Sequence, residues 1–317
     1  MRLSTGCVTK ESGKDDRLCG VRTSGLIVLL AVWWLVQSVS TAAAEAVPAS
    51  IQRPQFAQET KAPRPLPWRR IPAHGVLLKD LNTGRTLYEF EASKRLSPAS
   101  LTKIMSALVI LEYGNLDDQV IVSPWAARAH KIRLGLKAGQ VFRLEDLLKA
   151  MLIVSANDAC LAAVEHVGGD EEQFVLLMNA KASALGLTDT HFSNGCGFDA
   201  PDHYSTAEDL AKLSEFALRH PVFKQLVRAE REIITPVNGS RPYLLRNTNR
   251  LLGTVPGVEG VKTGFTSKAG RCLVAKVSQD GRDLLLVLLN AKRRWTTALR
   301  LIRFGLDALD GEPDTLR

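Results

Sequence analysis

Strand-type segments lie at two distant places in the 317-residue chain, and helical periodicity fills the stretch between them. Near one end, "HGVLLKDLNTGRTLYEFE" (74–91) holds two alternating segments around Asn82-Thr83-Gly84, the pattern of a hairpin. Near the other, "REIITPV", "GVEGVKTG", "RCLVAKVSQ" and "RDLLLVLLN" read as strands punctuated by Gly and Asp-Gly turns. Strands at both ends with helices between them predict an α+β domain. Its antiparallel sheet, flanked by helices, joins the first hairpin to the last strands, and an all-helical lobe lies opposite.

The helical segments follow from spacing and punctuation. Ile104, Leu108 and Leu111 recur at helical intervals between Ser100 and Tyr113, with Gly114 as a stop. Further helices are expected at 144–153, 157–167, 170–185 and 206–219, the last capped by Ser205 or Thr206 and ended before Pro221. An amphipathic helix over about 293–309 closes the fold. The chain shows neither an internal repeat nor a sign of a second domain, so residues 71–317 are expected to form one domain.

The segment before residue 71 has another character. Residues 1–24 carry five basic and three acidic side chains, then comes "GLIVLLAVWWLV" (25–36) and a small-residue stretch "QSVSTAAAEA". This is the layout of a secretory signal peptide over 1–44. An uncleaved anchor is the competing reading, because the apolar run could barely span a bilayer. Both readings place the body outside the cytoplasm, in the periplasm or cell envelope. Residues 45–70 include five prolines and little apolar periodicity, and they read as a spacer. The formal charge of +8 favours anionic partners, but Lys and Arg are dispersed, which argues against nucleic acid. Peripheral membrane association stays open.

Five cysteines fit no repeating framework. Cys7 and Cys19 precede the apolar run; Cys160, Cys196 and Cys272 are widely spaced, and buried free thiols are expected over a disulfide among them. "HFSNGCGFDAPDH" gathers His191, Cys196, Asp199 and His203, but without the spacing of a metal-ligand set, and turn-forming residues account for it better. No metal or other cofactor is expected.

Chemistry is concentrated in three short motifs. In "SPASLTKIM" Ser100 and Lys103 stand at i and i+3, on one helix face, where an amine can reach a hydroxyl. A lysine is a poor base at neutral pH unless burial and a neighbouring positive charge lower its pKa. Ser100 as a helix cap is the plainer alternative, and S-x-x-K alone decides nothing. Ser155-Ala156-Asn157 lies between two helical segments, and Lys262-Thr263-Gly264 lies at the end of a strand segment. Each pattern occurs once, in the order used by penicillin-interacting serine enzymes.

At these residues the chain resembles the D-alanyl-D-alanine carboxypeptidases, low-molecular-weight penicillin-binding proteins of the serine peptidase class. The likeness extends through "HYSTAEDLAKL" and "NTNRLLGTVPGVEGVKTGFTSKAGRCLVA" and covers roughly 71–310. It implies a β-lactamase/transpeptidase-like fold with the active site between sheet and helical lobe. It implies peptidoglycan stem peptides as substrates and β-lactams as inhibitors. It also implies roles: Ser100 as nucleophile, Lys103 as its base, and Ser155 as proton relay to the departing D-alanine. Asn157, Lys262, Thr263, Gly264 and Phe265 would bind substrate, Phe265 through its backbone N–H. Many members carry histidine where Cys196 stands, so Cys196 is either a variant cleft-wall residue or, as expected here, a small buried residue. Some carry histidine at Phe265, which implies a more apolar rim near the oxyanion hole here. Lys292, Arg293 and Arg294 all compete to bind the substrate carboxylate. An endopeptidase cutting D-alanyl cross-links is the main alternative. A class A β-lactamase would place a deacylating glutamate where "LTDTHFSNGCG" has none, and a non-catalytic peptidoglycan-binding protein would not need the intact motifs.

Overall fold

The computed structural model describes residues 71–310, residue 131 excepted. The expected signal segment (1–44), the spacer (45–70), Cys7 and Cys19 lie outside the described residues. β1 (Gly75–Asp80) and β2 (Thr86–Phe90) form the expected hairpin. The Asp80 carboxylate accepts the Asn82 N–H at 3.0 Å and closes its turn.

The chain then builds the helical lobe. A 3-10 turn, Ala99–Thr102, runs into α1 (Lys103–Tyr113). There follow β3 (Gln119–Ile121), α2 (Pro124–Ala127), β4 (Val141–Arg143), α3 (Leu144–Ile153), α4 (Asn157–Gly168), α5 (Glu171–Ala184), α6 (Ala207–Ala217) and α7 (Pro221–Arg228). Thr206 caps α6 by accepting the Asp209 N–H at 3.0 Å, as expected of it. Pro221 stops one helix and opens the next: its missing N–H costs nothing at the first position of α7, a helix the sequence reading lacked. The lobe is also not purely helical. β3 pairs with β4, and β5 (Arg231–Ile234) pairs with β6 (Tyr243–Arg246), as two short ribbons. "REIITPV", expected to join the main sheet, supplies β5 of the second ribbon instead. β3, β4 and β6 are three or four residues long, too few to register a period in the sequence.

β7 (Val258–Thr266), β8 (Gly270–Gln279) and β9 (Arg282–Leu289) return to the first hairpin, and α8 (Arg294–Asp310) ends the described chain. The sheet order is β2-β1-β9-β8-β7, antiparallel throughout. β9 lacks alternation because both of its faces are covered. Leu284, Leu286 and Leu288 pack with Ala298, Leu301 and Ile302 of α8, whereas Leu285, Val287 and Leu289 join the core shared with the helical lobe. β7 is an edge strand, and its free edge borders the cleft.

Candidate active site

Ser100 lies in the 3-10 turn that opens α1, half-buried, and no side-chain cap bond closes that helix end. Its Oγ is 3.2 Å from Lys103 Nζ. The residue before it, Ala99, is held at φ 49°, a left-handed conformation that ordinary residues adopt at a cost. Ser155, in the turn between α3 and α4, is likewise at φ 66°. Both outliers flank the same cleft.

Lys103 is fully buried, yet its Nζ is well partnered: 2.8 Å from Asn157 Oδ1 and 2.5 Å from the Cys196 carbonyl oxygen. Asn157 opens α4, and its Nδ2 donates to the His130 carbonyl at 3.1 Å. The Cys196 carbonyl is aimed by Asn194, whose Oδ1 accepts the N–H groups of Gly197 (2.7 Å) and Phe198 (2.9 Å). Gly197, at φ 83°, lets this loop touch the Ser100 turn; a β-carbon there would meet the Ala99 carbonyl oxygen at 2.1 Å. Asp158, the neighbour of Asn157, accepts the backbone N–H groups of Leu134, Gly135 and Leu136 and holds the opposite rim. Neither Asn194 nor Asp158 carried a signal in the sequence beyond its place beside a motif.

Cys160 and Cys196 correct an expectation: they are not free thiols, because Cys196 forms a disulfide with Cys160 of α4. The two cysteines are 36 positions apart, but the fold brings their Cα atoms to 6.0 Å, within bridging range. Cys272 is the free, buried cysteine among the described residues. The other side chains weighed as metal ligands also have protein partners. His203 Nε2 is 2.8 Å from Thr102 Oγ1, and Asp199 accepts the Thr266 hydroxyl at 2.7 Å. Burial, with His191 nearby, lowers the His203 pKa to about 4.

β7 supplies the opposite wall. Lys262 is buried, and its Nζ donates to the Thr263 carbonyl at 3.2 Å; Thr263 Oγ1 is 2.6 Å from Thr248 Oγ1. Gly264 is required by proximity. A β-carbon there would lie 3.0 Å from the Pro98 carbonyl oxygen and 3.1 Å from the Ser100 nitrogen, so a side chain would push the strand off the Ser100 turn. Phe265 follows, 57% exposed, and Arg271 lies over its ring at 5.8 Å. Of the three competing cations, Arg294 reaches β7: its Nη1 donates to the carbonyls of Gly264 (3.0 Å) and Cys272 (2.8 Å), and its Nε is buried without a partner. Lys292 and Arg293 line the same cleft, a space of about 680 Å³ that also contains Ser100, Ser155 and Thr263.

The electrostatics follow from burial. Desolvation, and then the charge of Lys262, hold the Lys103 pKa well below the usual lysine value. Lys262 is lowered to about 7 by its own burial and by Arg294. Arg294 falls to about 10, through burial and the like charges of Arg271 and Arg250. A neutral Lys103 amine has two N–H donors and one lone pair. Asn157 Oδ1 and the Cys196 carbonyl take the donors, which turns the lone pair toward the Ser100 hydroxyl. The Ser155 Oγ is buried with no hydrogen-bond partner, and so has a proton to give and a lone pair to accept one. The geometry thus brings Ser100, Lys103, Ser155, Asn157, Lys262, Thr263 and Gly264 together, with Phe265 on the rim. Such a set can generate an alkoxide-like nucleophile beside a cationic pocket.

Residues 58–293 match the sequence profile described as D-alanyl-D-alanine carboxypeptidase. The chain is 37% identical over 250 residues to the D-alanyl-D-alanine carboxypeptidase DacC of Escherichia coli, covering 74% of this chain and 61% of that one. It is 33% identical over 249 residues to DacF of Bacillus subtilis, covering 76% of this chain and 64% of that one. The chain thus spans under two thirds of the length of these two relatives. Among solved structures, a D-alanyl-D-alanine carboxypeptidase from Mycobacterium tuberculosis superposes with a TM-score of 0.72 at 30% identity, covering 78% of this chain and 95% of that one. The family profile covers well over half of this sequence and the solved relative shares its fold, so the chain belongs to the D-alanyl-D-alanine carboxypeptidase family.

Proposed function

We propose that this protein is a serine-type D-Ala-D-Ala carboxypeptidase that removes the terminal D-alanine from peptidoglycan stem peptides. One observation carries the reading: a fully buried lysine amine lies 3.2 Å from a serine hydroxyl, with its two N–H groups engaged elsewhere. Ser100 Oγ attacks the carbonyl of the penultimate D-alanine while Lys103 Nζ takes its proton. The backbone N–H groups of Ser100 and Phe265 hold the oxyanion. Ser155 Oγ passes a proton to the departing D-alanine nitrogen. Asn157 holds Lys103 and the substrate backbone, while Thr263 and Arg294 take the terminal carboxylate, with Lys262 adding positive potential behind them. Water then cleaves the acyl-enzyme ester. β-Lactams follow the first half of this path and stall as the Ser100 ester.

The signal segment 1–44 supports export to the periplasm or envelope, with 45–70 as spacer and 71–317 as the catalytic domain. No helix among the described residues is long and apolar enough to cross a membrane. The test is mass spectrometry of a pentapeptide stem after incubation with the enzyme, paired with labelling by a fluorescent penicillin. Loss of one alanine and a covalent label, both abolished by Ser100→Ala, are expected. Alanine release that survives Ser100→Ala would refute the assignment.

A further inference from the structure

His203 follows the loop that packs on the Ser100 turn, and the backbone around it is held twice. His191 and Tyr204 exchange backbone hydrogen bonds at 3.0 Å, and Leu96 and Ser205 do so at 2.8 and 2.9 Å. The ring is buried, and so is Thr102. Each ring nitrogen has one partner: Nδ1 is 3.0 Å from the Ser193 nitrogen, and Nε2 is 2.8 Å from Thr102 Oγ1. A backbone N–H can only donate, so Nδ1 accepts and the proton of the neutral ring sits on Nε2. Thr102 therefore accepts from Nε2 and gives its own proton to the Ala99 carbonyl, at 2.8 Å. A threonine before a helix ordinarily caps it by accepting an N–H of the first turn, yet Thr102 makes no such bond to α1. Its hydroxyl serves the Ala99 carbonyl instead.

That carbonyl belongs to the peptide unit that supplies the Ser100 N–H. The Ala99–Ser100 peptide is trans, so its C=O and N–H point in opposite directions, and whatever holds the one aims the other. Ala99 is at φ 49°, a conformation that persists only where its surroundings enforce it. Gly197 encloses the same carbonyl, since a β-carbon there would meet it at 2.1 Å. We propose that His203, acting through Thr102, is a positioning residue that fixes the Ala99–Ser100 peptide plane and so aims the Ser100 N–H at the oxyanion. This rests on the serine peptidase reading above. As the Ser100 Oγ–carbonyl bond forms, the carbonyl π pair moves onto oxygen, and a donor already aimed there needs no reorganisation. The Lys103 amine has other partners, namely Ser100, Asn157 and the Cys196 carbonyl. His203 therefore governs the oxyanion side of the reaction and not the base.

The test separates the two ring nitrogens by substitution. In His203→Gln the amide nitrogen replaces Nε2 as donor to Thr102. In His203→Asn the amide oxygen replaces Nδ1 as acceptor for Ser193, and the donor is lost. Thr102→Val removes the hydroxyl at nearly constant shape. Stopped-flow reaction with benzylpenicillin resolves the dissociation constant of the first complex from the acylation rate constant, and infrared spectroscopy reads the ester carbonyl of the acyl-enzyme. His203→Asn and Thr102→Val should each acylate about 10–100-fold more slowly, somewhat less than the loss of a whole oxyanion donor, with the dissociation constant within about twofold of wild type. Their ester band should move to higher wavenumber, the mark of a weaker hydrogen bond to that oxygen. The double variant should lose little more than either single one, because both break one link. His203→Gln should keep the band and acylate within about threefold of wild type. Wild-type rate and band in His203→Asn or Thr102→Val would overturn the inference. So would a loss confined to the dissociation constant, or an equal loss in His203→Gln with the band unmoved, which marks packing alone. Thermal unfolding reports whether each variant is folded, and if one of the two is not, the other decides. Wild type that forms no acyl-enzyme removes the parent reading, and the inference with it.

Discussion

The Cys196 carbonyl accepts a 2.5 Å hydrogen bond from Lys103 Nζ, while the Cys196 side chain is bonded to Cys160 on the helix that begins with Asn157. One covalent bridge therefore ties together the two groups that hold the Lys103 amine. Cys160→Ala combined with Cys196→Ala is expected to cost about 2–4 kcal/mol in urea unfolding, the usual contribution of a bridge closing a loop of this size. It should also slow penicillin acylation while leaving KM for the pentapeptide near wild type, because the base is displaced and the carboxylate pocket is not. Acylation at the wild-type rate would show that the bridge only stabilises the fold.

Gly264 sets the distance between β7 and Ser100. In Gly264→Ala the new β-carbon meets backbone atoms, which cannot swing aside as a flexible side chain can. Acylation should fall by roughly a hundredfold, the scale of a small misplacement of reacting groups. The thermal midpoint should shift little, since β7 is an edge strand. Stopped-flow acylation and thermal unfolding of the same preparation check the two halves.

Lys262 makes stability depend on pH with a defined sign. Its folded pKa of about 7 lies below its ordinary 10.5. Between those values the unfolded chain holds a proton that the folded protein lacks, so stability rises with pH across that window. Lys262→Met removes this dependence. The variant should be the more stable protein near pH 7, and its lead over wild type should shrink as pH rises toward about 10. Urea midpoints of both proteins across the window test this; a lead that stays constant would contradict it.

Arg294 donates to the Gly264 and Cys272 carbonyls and retains a buried, unpartnered Nε. Arg294→Leu should lower kcat/KM for the pentapeptide by about 10–100-fold, the worth of a hydrogen bond to a charged group, mostly through KM. Steady-state kinetics with a carboxylate-terminated and a carboxamide-terminated substrate separate the effects. The variant should discriminate between them far less than wild type does.

Much of this was legible in the sequence, for identifiable reasons. Ser100 and Lys103 are close in the chain, and the hairpin, the long helices and the last strands each span enough residues to show a period. Lys262-Thr263-Gly264 was legible as a motif, though the need for glycine appears only once β7 is laid against Pro98 and Ser100. The Cys160–Cys196 bridge was not legible, because nothing local records that α4 and the 191–199 loop meet. Arg294 could not be told from Lys292 and Arg293, since the rotation at the start of α8 decides which side chain faces β7. Asn194 and Asp158 look like ordinary turn and helix-start residues until their backbone partners are seen.

The central claim is that Lys103 is a neutral amine at working pH and takes the Ser100 proton. The most direct measurement is the second-order rate of acylation by a penicillin as a function of pH. The rate should already be high at neutral pH and decline on the acid side, as a lysine held well below its usual pKa becomes protonated. A rate that climbs about tenfold per pH unit from 7 toward 10, as an ordinary lysine would dictate, would contradict the account.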